Sequence, residues 1–323
     1  MRSRLRHLAG LAIVAAMVVA GCGSTSDRAS HIALVALATP TPQLPSSSGG
    51  STTLCTASLR PPAALPAPGD MPAGSFMAKI RKRGYLIAGV NAGLLDFGYF
   101  NPSTGQIEGF EIDLVNEIAA AIFGTAKGHV QLVALTVPQR IPFVQQGTVD
   151  IVVDAITMTC SRSQEVDFST VYYDAKQRVL VPTNSPARSM RDLAHKRVCA
   201  SAASTPVSVM QSLPAAERPL IVQEPQAVDC LVQMQEGQIA GISTDSSILL
   251  GFQAQDRNTM IVGPSLGDVP YGMAINKAHP EFVRFVNGVL AQLERDGTWQ
   301  RLQAHWLGQF HQLESPPKPE YDG

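Results

Sequence analysis

The chain has 323 residues, 45% of them hydrophobic, and a formal net charge of −1. That size and apolar content suit one large or two modest domains with a proper core, and the absence of a basic stripe argues against a nucleic-acid partner. The cysteine spacings do not match those of a metal site.

At the N-terminus, Arg2, Arg4 and Arg6 form a basic region, followed by an apolar run of 13 residues, Leu8–Ala20, too short to span a bilayer comfortably. Val19-Ala-Gly-Cys22 then matches a lipobox. Residues 1–21 read as a lipoprotein signal peptide removed ahead of Cys22, whose thiol carries the lipid; a plain secretory signal with an incidental cysteine is the alternative. Removal leaves 22 basic against 26 acidic residues, about −4. The second apolar run, Ile32–Ala38, is too short to cross a membrane. Residues 22–74 combine Pro40, Pro42, Pro45, a Ser46–Ser51 stretch of serine and glycine, and Pro61, Pro62, Pro66, Pro68 and Pro72. They read as an extended tether that buries little apolar surface, with a small Cys-stapled cap built around Cys55 as the alternative.

Beyond the tether, strand-like and helix-like segments alternate. Tyr85–Val90 reads as a strand, Asp113–Phe123 as a helix with Leu114, Ile118, Ala121 and Ile122 on one face, Val130–Leu135 as a strand and Arg140–Gln146 as a short helix. Asp150–Ile156 is a continuous apolar strand of the kind buried in parallel sheets. Further strands are predicted near Arg178–Val181, Val198–Ser201, Leu220–Val222, Ile239–Ser243 and Met260–Val262, with helices near Val207–Leu213, Val228–Gln235 and Ser246–Phe252. Two amphipathic helices, Glu281–Asp296 and Trp299–Trp306, close the pattern, and 311–323 form a tail. Alternation of this kind implies α/β architecture.

Apart from Cys22, four cysteines remain, which allow three pairings in an oxidising compartment. Cys199 ends a strand-like segment and Cys230 opens a helix-like one in the same stretch, so these two are paired, leaving Cys55 with Cys160; free buried thiols are the alternative.

The most informative stretch is Thr157-Met-Thr-Cys-Ser-Arg162, followed by Phe168-Ser-Thr-Val-Tyr172. A hydroxyl, backbone N–H groups and a guanidinium gathered at a strand end suit a small carboxylate. The stretch resembles the Thr-x-Thr-x-x-Arg…Phe-Ser-x-x-Tyr motif of bacterial periplasmic polar amino-acid-binding proteins (solute-binding protein family 3), the receptors of amino-acid ABC importers. Four more segments resemble that family in the same order: Gly109-Phe-Glu-Ile-Asp-Leu114, Arg140-Ile-Pro-Phe-Val-Gln-Gln-Gly-Thr-Val-Asp150, Tyr271-Gly-Met-Ala274, and Asp296-Gly-Thr-Trp299 with Trp306-Leu-Gly308. The likeness covers nearly all of residues 77–308.

The resemblance implies a type II periplasmic-binding-protein fold, with two α/β lobes joined by two β-crossovers and the ligand in the cleft. Lobe 1 is expected over 75–180 and 271–310, lobe 2 over 184–268, and the crossovers near Val179–Thr183 and Val269–Gly272. It also implies site roles. Arg162 clamps the ligand carboxylate, with Thr157 and the backbone of Ala155 beside it. Asp245 takes the ammonium, and a helix N-cap is its bland alternative. Ser204 and Thr205 replace part of a Gly-Thr-Thr loop, where Ala203 stands for glycine. Arg140 reads a side-chain carboxylate, while the neutral Asn91 admits an amide. Phe97, Tyr99 and Phe100 are candidate walls, and each could equally be core. The implied ligand is glutamate, aspartate, glutamine or asparagine, bound by an extracytoplasmic monomer that touches the membrane through its lipid alone and delivers to an ABC-importer permease or reports to a membrane sensor protein. No metal, cofactor or catalytic residue is expected. The same fold hosts periplasmic dehydratases, yet Gly-x-Ser-x-Gly, His-Glu-x-x-His and Gly-x-x-x-x-Gly-Lys are all missing from the sequence.

Overall fold

The computed structural model of the chain describes residues 52–310 and 314–322. The signal peptide, Cys22 and residues 22–51 of the expected tether lie outside the described residues.

Two five-stranded sheets share one plan. In lobe 1 the strand order is Val130–Ala134, Leu86–Val90, Ile151–Val153, Ala274–Ile275 and Asp167–Phe168. In lobe 2 it is Leu220–Glu224, Arg197–Ser201, Gly241–Asp245, Tyr173–Pro182 and Thr259–Tyr271. The first three strands of each sheet are parallel and the last two run against their neighbours. Parallel strands are buried on both faces, which explains why Ile151–Val153 is apolar without alternation.

Helices cover the lobe 1 sheet through regularly spaced apolar residues. Phe110–Phe123 buries Leu114, Ile118 and Ile122, and Pro280–Arg295 buries Phe282, Val286, Val289 and Leu293. Gly109 precedes the first of these at φ 140°, and a Cβ there would lie 2.3 Å from the Phe97 carbonyl oxygen, so only glycine lets this helix start where it does. Trp299 is buried and donates its indole N–H to the Tyr172 carbonyl at 2.9 Å, docking the last long helix near the joint.

The lobes are joined by two antiparallel strands. Tyr173 pairs with Tyr271, Ala175 with Val269 and Gln177 with Gly267. The second of these strands runs through Val269–Tyr271. The first lies earlier than Val179–Thr183: Val179 and Val181 are fully inside the lobe 2 core, against Val198, Val207, Met210 and Val262. A lobe 1 boundary at 180 therefore falls in the middle of lobe 2. The apolar Val179–Val181 run is the core-facing end of a longer strand whose first half alternates buried and exposed residues.

Residues 52–74 also differ from the expected tether. Leu54 bridges to Thr159, Leu59 and Leu65 pack on the core, and Met71 is buried. Ser58 donates to the Phe168 carbonyl at 2.6 Å, and Asn287 donates to both the Ser58 hydroxyl and the Leu59 carbonyl, at 2.8 and 2.6 Å. Gly288 makes room for Leu65, whose Cδ2 would stand 2.7 Å from a Cβ. The prolines of this arm carry no N–H, so an extended segment lies on the protein with few donors left to satisfy. The tail closes over it: Ser58 donates to the Glu320 carbonyl and accepts, through its own carbonyl, the Asp322 N–H. Two disulfides are present. Cys55–Cys160 fastens the arm to the helix that carries Arg162, and Cys199–Cys230 joins strand to helix inside lobe 2.

Candidate functional site

The carboxyl ends of the parallel strands of both sheets face one another, the place where open α/β sheets bind ligands. Asn91 follows Leu86–Val90, Asp154 and Ala155 follow Ile151–Val153, Ser204 and Thr205 follow Arg197–Ser201, and Asp245 ends Gly241–Asp245. These residues, with Arg140, Thr157 and Arg162, line one cavity of about 30 Å³, whose apolar walls include Leu94, Val137, Ala227 and Ile248.

Eight of the nine ligand residues expected from the sequence thus meet in one place. Phe97 does not. Its ring packs edge-on against Phe110, Tyr173 and Tyr271, at centroid distances of 6.0, 5.2 and 6.4 Å, so it is core at the joint. Tyr99 bonds Glu108 and Phe100 is exposed, so neither is a wall.

Arg162 sits in the four-residue helix Cys160–Ser163, capped by the Thr159 hydroxyl. Its guanidinium donates to the Thr157 carbonyl at 2.9 Å and, across the cleft, to the Ala203 carbonyl at 3.0 Å. Burial of that head group, with Arg140 nearby, lowers its pKa to about 9, so it stays charged at neutral pH. Arg140 is held by three carbonyls: Val137 at 3.2 Å, Asp154 at 2.8 Å and Ala155 at 3.4 Å.

Asp245 accepts the Tyr271 hydroxyl at 2.7 Å through Oδ2, while its buried Oδ1 has no partner. Its side chain makes no N-cap bond, so helix capping is not its task. Burial raises its pKa to about 6. Thr205 likewise keeps a buried hydroxyl without a partner. An unpaired buried carboxylate oxygen and hydroxyl are costly, and a ligand ammonium and carboxylate would satisfy both.

The backbone of Ala155 is not free to hold a ligand carboxylate, as the sequence reading had it. Its N–H donates to Glu111 Oε1 at 2.7 Å. Glu111 also accepts the Tyr172 hydroxyl, and burial raises its pKa to about 7. Ala155 and Ala203 both hold positive φ, 43° and 57°, so the alanines keep the left-handed geometry that glycine would adopt more cheaply.

The lobes are closed on one another. Asn91 Nδ2 donates to Asp154 Oδ1 at 3.0 Å and to Gln226 Oε1 at 3.3 Å; Gln226 Nε2 donates to the Leu135 carbonyl at 2.7 Å; Val137 N–H donates to the Pro225 carbonyl at 3.2 Å. Asp154, Gln226 and Tyr271 were missed as site residues. Only Asp154 leaves a signal in the sequence: a carboxylate within the apolar Asp150–Ile156 run has no reason to be there unless something pairs with it.

The chain belongs to family 3 of the bacterial extracellular solute-binding proteins, whose description matches residues 86–309. Its lobes, crossovers and cleft are those of the type II periplasmic-binding-protein fold. It is similar to the ABC transporter glutamine-binding protein GlnH of Bacillus subtilis (30% identity, covering 72% of this chain and 84% of the relative) and to a glutamine-binding protein of Geobacillus stearothermophilus (33%, 62% and 76%). Among solved structures it resembles an ancestral arginine-binding protein bound to glutamine, at 27% identity and a TM-score of 0.64, covering 70% of this chain and 99% of that one. Among the described residues no helix is long and apolar enough to cross a membrane.

Proposed function

We propose that this chain is an extracytoplasmic, lipid-anchored receptor that reversibly binds a polar L-amino acid and delivers it to an ABC importer. The observation that carries this is the pairing of Arg162 in lobe 1 with Asp245 in lobe 2, opposite charges on opposite sides of one closed cavity. The ligand carboxylate meets Arg162, Thr157 and the Thr205 hydroxyl, while the Ser204 hydroxyl beside them donates to the Ser201 carbonyl. The ammonium meets Asp245 Oδ1. Each charge of the zwitterion loses water on entry and finds a partner, and the contacts to lobe 2 form fully only on closure, which is what lets a ligand shift the equilibrium toward the closed state.

The names of the relatives, ABC transporter glutamine-binding protein among them, support the transport role and a polar ligand. The lipobox at Cys22 supports the anchor at the membrane surface. Calorimetry across the common amino acids tests the reading, since a receptor binds and returns its ligand unchanged. No binding by the intact protein overturns it. Cys22→Ala is expected to release the protein from the membrane fraction or to leave an unprocessed precursor.

A further inference from the structure

The ionisable side chains lining the cavity are two arginines, Arg140 and Arg162, and two aspartates, Asp154 and Asp245. If Arg162 and Asp245 take the two charged ends of the zwitterion, Arg140 and Asp154 remain to meet its side chain. Asp154 is 1% exposed. Its Oδ1 accepts from Asn91, and its Oδ2 has no hydrogen-bond partner. Asn91 is in turn held by Gln226 from the other lobe, so the Asp154 carboxylate is fixed in one orientation when the cleft is closed. Arg140, anchored on the carbonyls of Val137, Asp154 and Ala155, is fixed beside it.

We propose that Asp154 reads the ligand side chain and selects a terminal carboxamide over a carboxylate. A carboxamide carries both kinds of group that this end of the cavity lacks. Its NH₂ donates to Asp154 Oδ2, and its carbonyl accepts from the Arg140 guanidinium. A side-chain carboxylate has no donor for Oδ2 and places a second anion against it, in a site where like charges are poorly screened. A cationic side chain meets the same objection from Arg140. Net charge agrees with the local chemistry. Two arginines and two aspartates balance, and an amino acid with a neutral side chain leaves that balance intact, whereas glutamate or aspartate adds an uncompensated negative charge. The assignment rests on the reading of the cleft as an α-amino-acid site.

The test compares glutamine with glutamate, and asparagine with aspartate, by calorimetry at pH 7.5 for the wild type, Asp154→Asn and Asp154→Ala, with thermal unfolding of each variant recorded alongside. The wild type is expected to bind the amide at least tenfold more tightly than the matching acid. Asp154→Asn is nearly isosteric and can turn either an acceptor or a donor toward the ligand, so it is expected to bring the ratio close to one. Asp154→Ala is expected to lower the ratio too, by removing the repulsion. A wild type that binds the acid as well as the amide overturns the assignment whatever the variants do. A ratio unchanged in folded Asp154→Asn overturns it as well. Failure of the wild type to bind any of the four amino acids overturns instead the reading of the cleft on which the assignment depends.

Discussion

The two lobes share a sheet plan and divide the work of the cleft unequally. In lobe 1, Asn91, Arg140 and Arg162 are already held by hydrogen bonds within the lobe, and of the residues lining the cavity from this lobe Asp154 keeps an open oxygen. In lobe 2 the open groups are Asp245 Oδ1 and the Thr205 hydroxyl. Lobe 1 is thus a largely preformed half-site that supplies the cations, and lobe 2 supplies a carboxylate acceptor and a hydroxyl donor that want partners. Preorganised donors bind without ordering costs, and the open groups of lobe 2 make closure depend on what is inside.

The largest expected effect comes from breaking that division on both sides. Arg162→Ala and Asp245→Ala should each leave one charge of the bound zwitterion unpaired and weaken binding by roughly 3–5 kcal/mol. A loss confined to one of the two variants, measured by calorimetry, would show that a single lobe holds both ends of the ligand. Next is stability. The Cys199–Cys230 bridge closes a loop across a separation of 31 residues. Replacing both cysteines by alanine should destabilise lobe 2 by roughly 3–4 kcal/mol in the chain-entropy view. Denaturant unfolding should then show lobe 2 melting ahead of lobe 1, and a single unchanged transition would contradict this.

A smaller effect follows from proton linkage. Asp245 faces the Tyr271 hydroxyl, Arg140 and Arg162, and its pKa is raised to about 6 without ligand. Below that pH it must give up a proton to receive an ammonium, so affinity for a neutral amino acid should fall about tenfold between pH 7.5 and pH 5. The stability of the ligand-free protein should run the other way. The folded-state pKa values of Asp154 and Asp245 are raised to about 6 and that of Glu111 to about 7. Their contribution is therefore complete below about pH 4 and lost as pH rises through about 7. Opposite slopes for binding and for thermal stability are the signature to look for. The smallest effect is backbone strain at the cleft, at Ala155 in lobe 1 and Ala203 in lobe 2. Ala155→Gly and Ala203→Gly should relieve the left-handed penalty at the cost of a looser unfolded chain, leaving net changes within about 1 kcal/mol.

What could be read from the sequence followed local rules. Apolar runs located the parallel strands, and residues at their carboxyl ends were brought together because the fold gathers those ends, so Arg162 and Asp245 meet although 83 positions separate their numbers. What could not be read depended on distant partners. Nothing near Ala155 says that its N–H belongs to Glu111, in a helix 44 residues earlier. The cluster around Phe97 shows aromatic content without saying which ring faces the core. The arm 52–74 has no periodicity to reveal that Leu59, Leu65 and Met71 pack into the core.

The arm and the tail leave one asymmetry with mechanical meaning. Both ends of the described chain are fastened to lobe 1, the arm by Cys55–Cys160 and by Asn287, the tail by its bonds to Ser58. Among the described residues neither end lies on lobe 2, which hangs from two adjacent strands. A pull applied through residues 52–74 or 314–322 therefore grips the frame and leaves the jaw free to swing.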